Sequence, residues 1–233
     1  MTFVQYLVIS AFALAGYLIG SLNAGVIVSK AFYGKDVREF GSGNAGTTNM
    51  LRTFGKKAAA LTLVLDFLKG IVSCLIPCLI VYVACRDHFL GLYSMLAAAL
   101  GCVAGHNWPV YFGFKGGKGV LVSFSVMLFL APVPALIALG VFIIVVLITR
   151  YVSLGSVLAA LAFPVPVWFF GGWAENTKGL TVFFFVCIIL VVLLIVRHRS
   201  NLVRLFTGKE SKLSFKNAGK KNEEADEKDG KNS

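Results

Sequence analysis

The side chains able to do chemistry in this chain fall into three polar stretches set in an apolar background. The first reads GSGNAGTTNMLRTFG, Gly41 to Gly55. Its glycines, Gly46 among them, let backbone N–H groups turn toward one point, as in anion-binding nests. Ser42, Asn44, Thr47, Thr48 and Asn49 add neutral hydrogen-bonding groups. Arg52 adds a planar fork of donors suited to phosphate. Gly41-x-Gly43-x-x-Gly46 formally matches the dinucleotide fingerprint, with Asp66 twenty residues on. That reading fails because the segment follows an apolar helix rather than a strand, and Asp66 falls inside the next apolar run.

The second stretch reads GHNWPVYFGFKGGKGV, Gly105 to Val120. His106, Asn107 and Trp108 precede Pro109, which ends or kinks a helix. Gly116, Gly117 and Gly119 then frame Lys118. Gly119 stands where a Walker A loop needs its magnesium-binding Ser or Thr, so this is not such a loop. A lysine framed by glycines still suits an anion, because backbone and ammonium can approach it together.

The third stretch is split. RYVSLGS, Arg150 to Ser156, places Ser153 and Ser156 near the positive N-terminal end of a helix. RHRSNLVRLFTGKE, Arg197 to Glu210, puts His198, Asn201 and Leu205 on one helical face with Arg204 beside it. The ordinary pKa of His198 suits a base near neutrality. Arg197 and Arg199 read as interfacial anchors, their charges snorkelling to the membrane surface. Asp66 and Lys69 lie three apart inside an apolar run, where ionisable groups face a cavity or one another.

The elements that must position these groups are membrane helices. Apolar residues make up 58% of the 233-residue chain and charged residues only 14%, against about a quarter in soluble domains. Apolar segments cover about 3–32, 57–84, 90–112, 119–131, 133–149, 153–173 and 179–196. Most are long enough to cross about 30 Å of hydrocarbon. Pro132 and Pro134 split the long run from Val120 to Thr149. The fold class is all-α: a polytopic integral membrane bundle of seven transmembrane helices, with five or six as the alternatives.

Basic residues set the orientation. Lys35, Arg38, Arg52, Lys56, Lys57, Lys115, Lys118, Arg150, Arg197 and Arg199 gather on one side, against Arg86 and Lys178 on the other. The positive side is cytoplasmic, so the N-terminus is outside and the C-terminus and polar stretches are inside. Much of the formal charge of +11 therefore belongs to the membrane body. No Lys or Arg precedes Lys30, so the first run reads as a retained helix rather than a cleaved signal. Residues 1–206 form the transmembrane domain and 207–233 a charged, largely disordered cytoplasmic tail. The five cysteines show no zinc spacing and read as packing residues. No metal, cofactor or nucleic-acid partner is expected.

Taken in order, GSGNAGTTN with Arg52, DFLKG, GHNWPV with FKGGKGV, YVSLGS and HRSNLVRLFTGKE resemble the bacterial acyl-phosphate glycerol-3-phosphate acyltransferase family, PlsY. The resemblance runs nearly to Leu213. Leu121-Val122 departs from it, standing where members usually carry Ala-Thr. It implies a multi-pass enzyme of the bacterial inner membrane that makes 1-acyl-sn-glycerol 3-phosphate, the first step of phospholipid synthesis. It further implies a long-chain acyl phosphate as donor and membrane lipid as surroundings. Ser42, Arg52, Lys118, Ser156, His198 and Asn201 would then bind glycerol 3-phosphate, with Asn44, Gly46, Thr48 and Asn49 near the donor phosphate. Residue by residue, His106, Gly116, Gly117, Gly119, Ser153 and Arg204 complete the candidate site. His198, Lys118 and Arg52 are the candidate catalytic groups. A transporter of an organic phosphate is the alternative, and would place polar groups near mid-membrane.

Overall fold

A chain in lipid must satisfy its backbone internally, and helices do so within one segment. The computed structural model describes residues 1–170 and 177–213, and all regular structure among them is helical. The first apolar run is two helices, α1 (Phe3–Ser21) and α2 (Ala24–Tyr33). The break has a cause: Asn23 Oδ1 caps α2 by accepting the Val26 N–H at 3.2 Å. α3 runs Thr47–Pro77 and continues as a wider π turn over Cys78–Ala84. It therefore begins well before residue 57, where the apolar run starts. The polar stretch is a loop only to Gly46; residues 47–54 are helical, and the helix kinks at Gly55, φ 85°.

α4 (His88–Asn107) leads to the Lys118 loop. α5 (Val120–Leu130) and α6 (Pro132–Thr149) form a hairpin that breaks at Ala131, as the prolines require. α7 (Val152–Ala162) and α8 (Pro164–Phe170) are joined at Phe163. α9 (Thr177–Arg197) ends at His198, and α10 (Arg199–Phe206) follows. Residues 171–173 of the sixth apolar segment lie outside the described residues.

Among the described residues, six helical runs are long and apolar enough to cross a membrane. The remaining expected span, α5, has 11 residues. It rises only about 16 Å, roughly half the hydrocarbon thickness. Outward positions are apolar, with Leu147, Ile148 and Phe169 at least 75% exposed, as a lipid-facing surface requires.

The bundle is held by close backbone approach. A Cβ on Gly16 or Gly20 would strike the Ala98 or Cys102 carbonyl of α4, and one on Gly101 or Gly105 would strike the Ala13 or Tyr17 carbonyl of α1. Small residues four apart on both helices thus bring the two backbones together. Inside, Lys69 Nζ lies 2.7 Å from Asp66 Oδ1 and donates to the Leu22 carbonyl, freed by the α1–α2 break, at 2.9 Å. His106 Nδ1 is 2.9 Å from the same ammonium. The cluster joins α1, α3 and α4 in one buried polar contact, so each ionised group has a partner.

Candidate active site at one end of the bundle

The polar stretches meet at one end of the molecule, around a cavity of ≈ 840 Å³. Its lining changes character with depth. At the mouth stand Ser42, Asn44, Gly46, Thr48, Asn49, Arg52, Lys118, Gly119, Ser153, Ser156, His198, Asn201 and Arg204. Further in, the walls are Leu121, Phe124 and Met127 of α5, Ala135, Ala138 and Phe142 of α6, Phe163, and Cys187, Leu190 and Leu194 of α9. From His198 to Cys187 the helix spans about 16 Å at 1.5 Å per residue. The cavity therefore joins a cationic mouth to a deep apolar arm.

Each wall is positioned by its local sequence. α3 opens at Gly46 with no side-chain cap, so its positive end faces the cavity beside Thr47 and Thr48. Asn49, 2% exposed, organises the loop before it. Its Nδ2 donates to the Val37 and Phe40 carbonyls at 3.0 Å each, and its Oδ1 accepts the Ser42 N–H at 2.9 Å. The amide is thus engaged with protein partners and acts on the cavity through Ser42.

The glycines before Lys118 are used differently from the expected approach of backbone and ammonium to one anion. Gly116 and Gly117 do not line the cavity. A Cβ on Gly116 would strike the His106 carbonyl, and one on Gly117 the His106 ring. The Gly117 N–H is also bonded, to the His106 carbonyl at 3.0 Å. These two glycines let the loop lie on the end of α4, while Gly119, φ 77°, turns the chain into α5. His106 is a cavity wall whose Nδ1 is taken up by Lys69. Val122 is fully buried, and Leu121 occupies the cavity wall. The two residues that depart from the resemblance therefore pack as apolar groups.

Arg197 is not a snorkelling anchor. Its Nε and Nη2 donate to the Gly117 carbonyl at 3.1 and 2.6 Å, its Nη2 reaches the Gly116 carbonyl at 3.3 Å, and its guanidinium lies 5.5 Å from the Trp108 ring centroid. Burial pushes the Lys118 ammonium down to about 8, with Arg204, Arg52 and Arg197 adding to the fall and Glu210 opposing it. One residue later His198 turns its ring inward. Its Nδ1 lies 2.8 Å from the Leu194 carbonyl, which can only accept, so Nδ1 carries the proton and Nε2 is the acceptor. Burial lowers this imidazole to about 4.

Glu210 lines the cavity too, and no sequence signal singles it out. Its Oε1 accepts from Ser153 Oγ and Asn201 Nδ2, each at 2.7 Å, and its Oε2 from Arg204 Nε at 2.8 Å. Arg52 Nη2 donates to the Ser211 carbonyl at 3.2 Å, and the Leu213 N–H to the Arg150 carbonyl at 2.8 Å. Residues 207–213 are therefore a strap across the site, and a division at 206/207 separates it from the helices it is bonded to. Residues 214–233 lie outside the described residues. Asn201 is left with a buried Oδ1 that has no protein donor, and Ser156 Oγ bonds the Val152 carbonyl at 2.8 Å. Among the described residues no group of three His, Cys, Asp or Glu side chains converges as a metal site.

A many-helix membrane body with a basic, lipid-length cavity at one end defines a class of integral membrane proteins acting on an anionic, chain-bearing molecule. The family model for glycerol-3-phosphate acyltransferase matches residues 10–208. The chain is 43% identical over 219 residues to a glycerol-3-phosphate acyltransferase of Clostridioides difficile (strain 630), covering 93% of this chain and 99% of the other. It is 42% identical over 206 residues to one of Chromobacterium violaceum, covering 88% and 95%. Its structure is similar to that of PlsY (YgiH), an integral membrane glycerol 3-phosphate acyltransferase, in the glycerol 3-phosphate form: TM-score 0.74, 37% identity, 88% of this chain and 96% of that one. The lysophosphatidic acid form of PlsY matches with TM-score 0.71 at 34% identity, covering 89% and 96%. The chain belongs to the glycerol-3-phosphate acyltransferase family.

Proposed function

We propose that the cavity takes glycerol 3-phosphate and a long-chain acyl phosphate together at its mouth, with the acyl chain in the apolar arm. The chemistry is acyl transfer to the sn-1 hydroxyl, giving 1-acyl-sn-glycerol 3-phosphate and inorganic phosphate. The observation that carries this reading is the junction of Arg52, Lys118 and Arg204 with an apolar arm in one continuous cavity. A transporter of an organic phosphate would need polar groups near mid-membrane. Here the deeper ionisable cluster, Asp66, Lys69 and His106, is tied up by contacts among its members and with the Leu22 carbonyl, although Asp66 and His106 also reach the cavity wall.

Two anions side by side require concentrated positive potential, which Arg52, Lys118, Arg204 and the open end of α3 supply. In this assignment Ser42, Arg52, Lys118 and Ser156 hold glycerol 3-phosphate, and Asn44, Thr48 and the Gly46 end of α3 face the donor phosphate. His198 Nε2 and Asn201 Oδ1 are the two acceptors for substrate hydroxyls. The hydroxyl oxygen attacks the acyl carbon, the developing oxyanion is stabilised by cations, and the carbon–oxygen bond to phosphate breaks. The leaving phosphate carries away the bond's electron pair. A histidine at about 4 is a weak base at neutral pH. The substrate's phosphate ester, with a second pKa of about 6, is the stronger one. We assign the proton to that phosphate and orientation of the hydroxyl to His198.

By the positive-inside count the mouth faces the cytoplasm and the N-terminus lies outside, and the bacterial relatives point to a bacterial inner (plasma) membrane. The test is a purified-protein assay with both substrates: lysophosphatidic acid and inorganic phosphate should appear in equal amounts. Phosphate released before glycerol 3-phosphate is added, in an amount matching the enzyme, would contradict direct transfer.

A further inference from the structure

The loop that carries Lys118 is gripped from two sides by guanidinium groups, neither of which lines the cavity. On one side stands Arg197 at the end of α9, bonded to the carbonyls of Gly116 and Gly117 and lying over Trp108. On the other stands Arg38, in the turn between α2 and α3. Its Nη1 donates to the Phe112 carbonyl at 2.8 Å and to the Lys115 carbonyl at 3.0 Å. Arg38 is itself fixed. Its Nε and Nη2 meet the two Asp36 oxygens at 2.9 and 2.7 Å, and Lys30 lies 3.3 Å from the same carboxylate.

We infer that Arg38 and Arg197 are positioning residues for acyl transfer: together they draw the loop's carbonyls away from the cavity and so hold Lys118 against the substrate phosphate.

The physical reason lies in the loop's composition. Gly113, Gly116, Gly117 and Gly119 leave the backbone many conformations, and nothing in their side chains selects one. A peptide that flipped its carbonyl into the mouth would present a negative dipole to two bound phosphates. Four carbonyls, those of residues 112, 115, 116 and 117, are occupied by arginine donors that lie off the cavity wall. A lysine could neutralise the same region but could not match this geometry. Arg197 reaches its partners through Nε and Nη2 at once, and Arg38 binds a carboxylate and two carbonyls with one planar group. The two arms come from opposite ends of the sequence, so the loop's conformation depends on the whole cytoplasmic end being assembled.

This inference rests on the reading of Lys118 as a phosphate ligand, and a double-mutant cycle separates the two. Steady-state kinetics in glycerol 3-phosphate are measured for wild type, Arg197→Lys, Arg38→Lys, Lys118→Ala and the two double variants, with the thermal midpoint in detergent recorded for each. Loss of the grip should lower kcat/KM by on the order of ten- to a hundredfold, because small misplacements near reacting groups are expensive. That loss should appear mainly as a raised KM for glycerol 3-phosphate, with the thermal midpoint little changed. In the Lys118→Ala background the same arginine substitution should cost less than about twofold, since the group it positions is gone. Equal losses in both backgrounds would overturn the inference and leave the arginines as general supports. So would full activity of both arginine variants beside a crippled Lys118→Ala. A fully active Lys118→Ala would overturn the phosphate reading itself and the grip with it. Should Arg197→Lys fail to fold, Arg38→Lys carries the cycle, because its arm lies outside the membrane helices.

Discussion

Glu210 Oε1 lies 2.7 Å from Ser153 Oγ, tying the strap after the last helix to the first turn of α7. Burial disfavours the carboxylate, but hydrogen bonds from Asn201, Ser153 and Arg204 outweigh it and hold the group below its ordinary range. A group depressed in this way contributes stability that is present above its unfolded pKa and lost as pH falls through the folded one. Glu210→Gln should therefore loosen the strap and lower activity at neutral pH. The expected loss is about 1.5–3 kcal/mol of site stabilisation, the scale of one charged hydrogen bond. Turnover and thermal midpoint, measured together, check this. The difference from wild type should shrink only as pH falls below the ordinary carboxylate range, where Glu210 finally takes up its proton.

Lys118 makes a second prediction through its depressed pKa. The lysine must be charged to bind phosphate, and in the empty site it loses its proton near 8. Because kcat/KM reports the free enzyme, it should fall as pH rises through about 8. A bound phosphate favours the charged form, so the corresponding limb of kcat should lie at higher pH. Lys118→Arg should move the kcat/KM limb upward, since a guanidinium keeps its proton. Arg52→Lys, which keeps charge but loses the fork, should cost about 1.5–3 kcal/mol in kcat/KM.

Burial lowers His198 as well, but with a different consequence. Its imidazole is already neutral above about 4, so it places no acid limb near neutrality. The acid limb should instead follow the second ionisation of glycerol 3-phosphate, about pH 6. His198→Ala should lower kcat and retain that limb. A limb that disappears with the histidine would make it the base.

The polar stretches and the break at Pro132 were legible because residue type alone marks them: glycine, arginine and proline impose backbone or charge requirements whatever the tertiary context. The start of α3 was not. Thr47, Thr48 and Asn49 read as loop by polarity, and only the bonds from Asn49 to Val37, Phe40 and Ser42 explain why a helix begins there. Glu210 was hidden among the acids of a charged C-terminal region, and no spacing reveals that the chain turns back onto α7. The glycines beside Lys118 read as giving an anion access to backbone and ammonium together, whereas contact with His106 is what Gly116 and Gly117 require. The spacing of Gly16 with Gly20, and of Gly101 with Gly105, is the sequence signal that locates the α1–α4 contact.

Orientation is tested by single cysteines in a background lacking the native five. A cysteine at Ser42 or Ser233 should resist a membrane-impermeant reagent in intact cells and react once the membrane is opened. Labelling from outside at either position would invert the topology.

The donor is the centre of the account, and one comparison tests it. The mouth joins cationic groups to an apolar arm, an arrangement suited to a small leaving phosphate carried on a fatty chain. No histidine here begins the His-x4-Asp motif of the other common acyltransferase class: Tyr93, Tyr111 and Val203 stand five residues after His88, His106 and His198. Purified protein in lipid should be offered acyl phosphate, acyl-CoA and acyl carrier protein of matched chain length, each with glycerol 3-phosphate, and lysophosphatidic acid measured. Turnover is expected with acyl phosphate and none with the two thioesters; turnover with acyl-CoA and none with acyl phosphate would overturn the assignment of the donor.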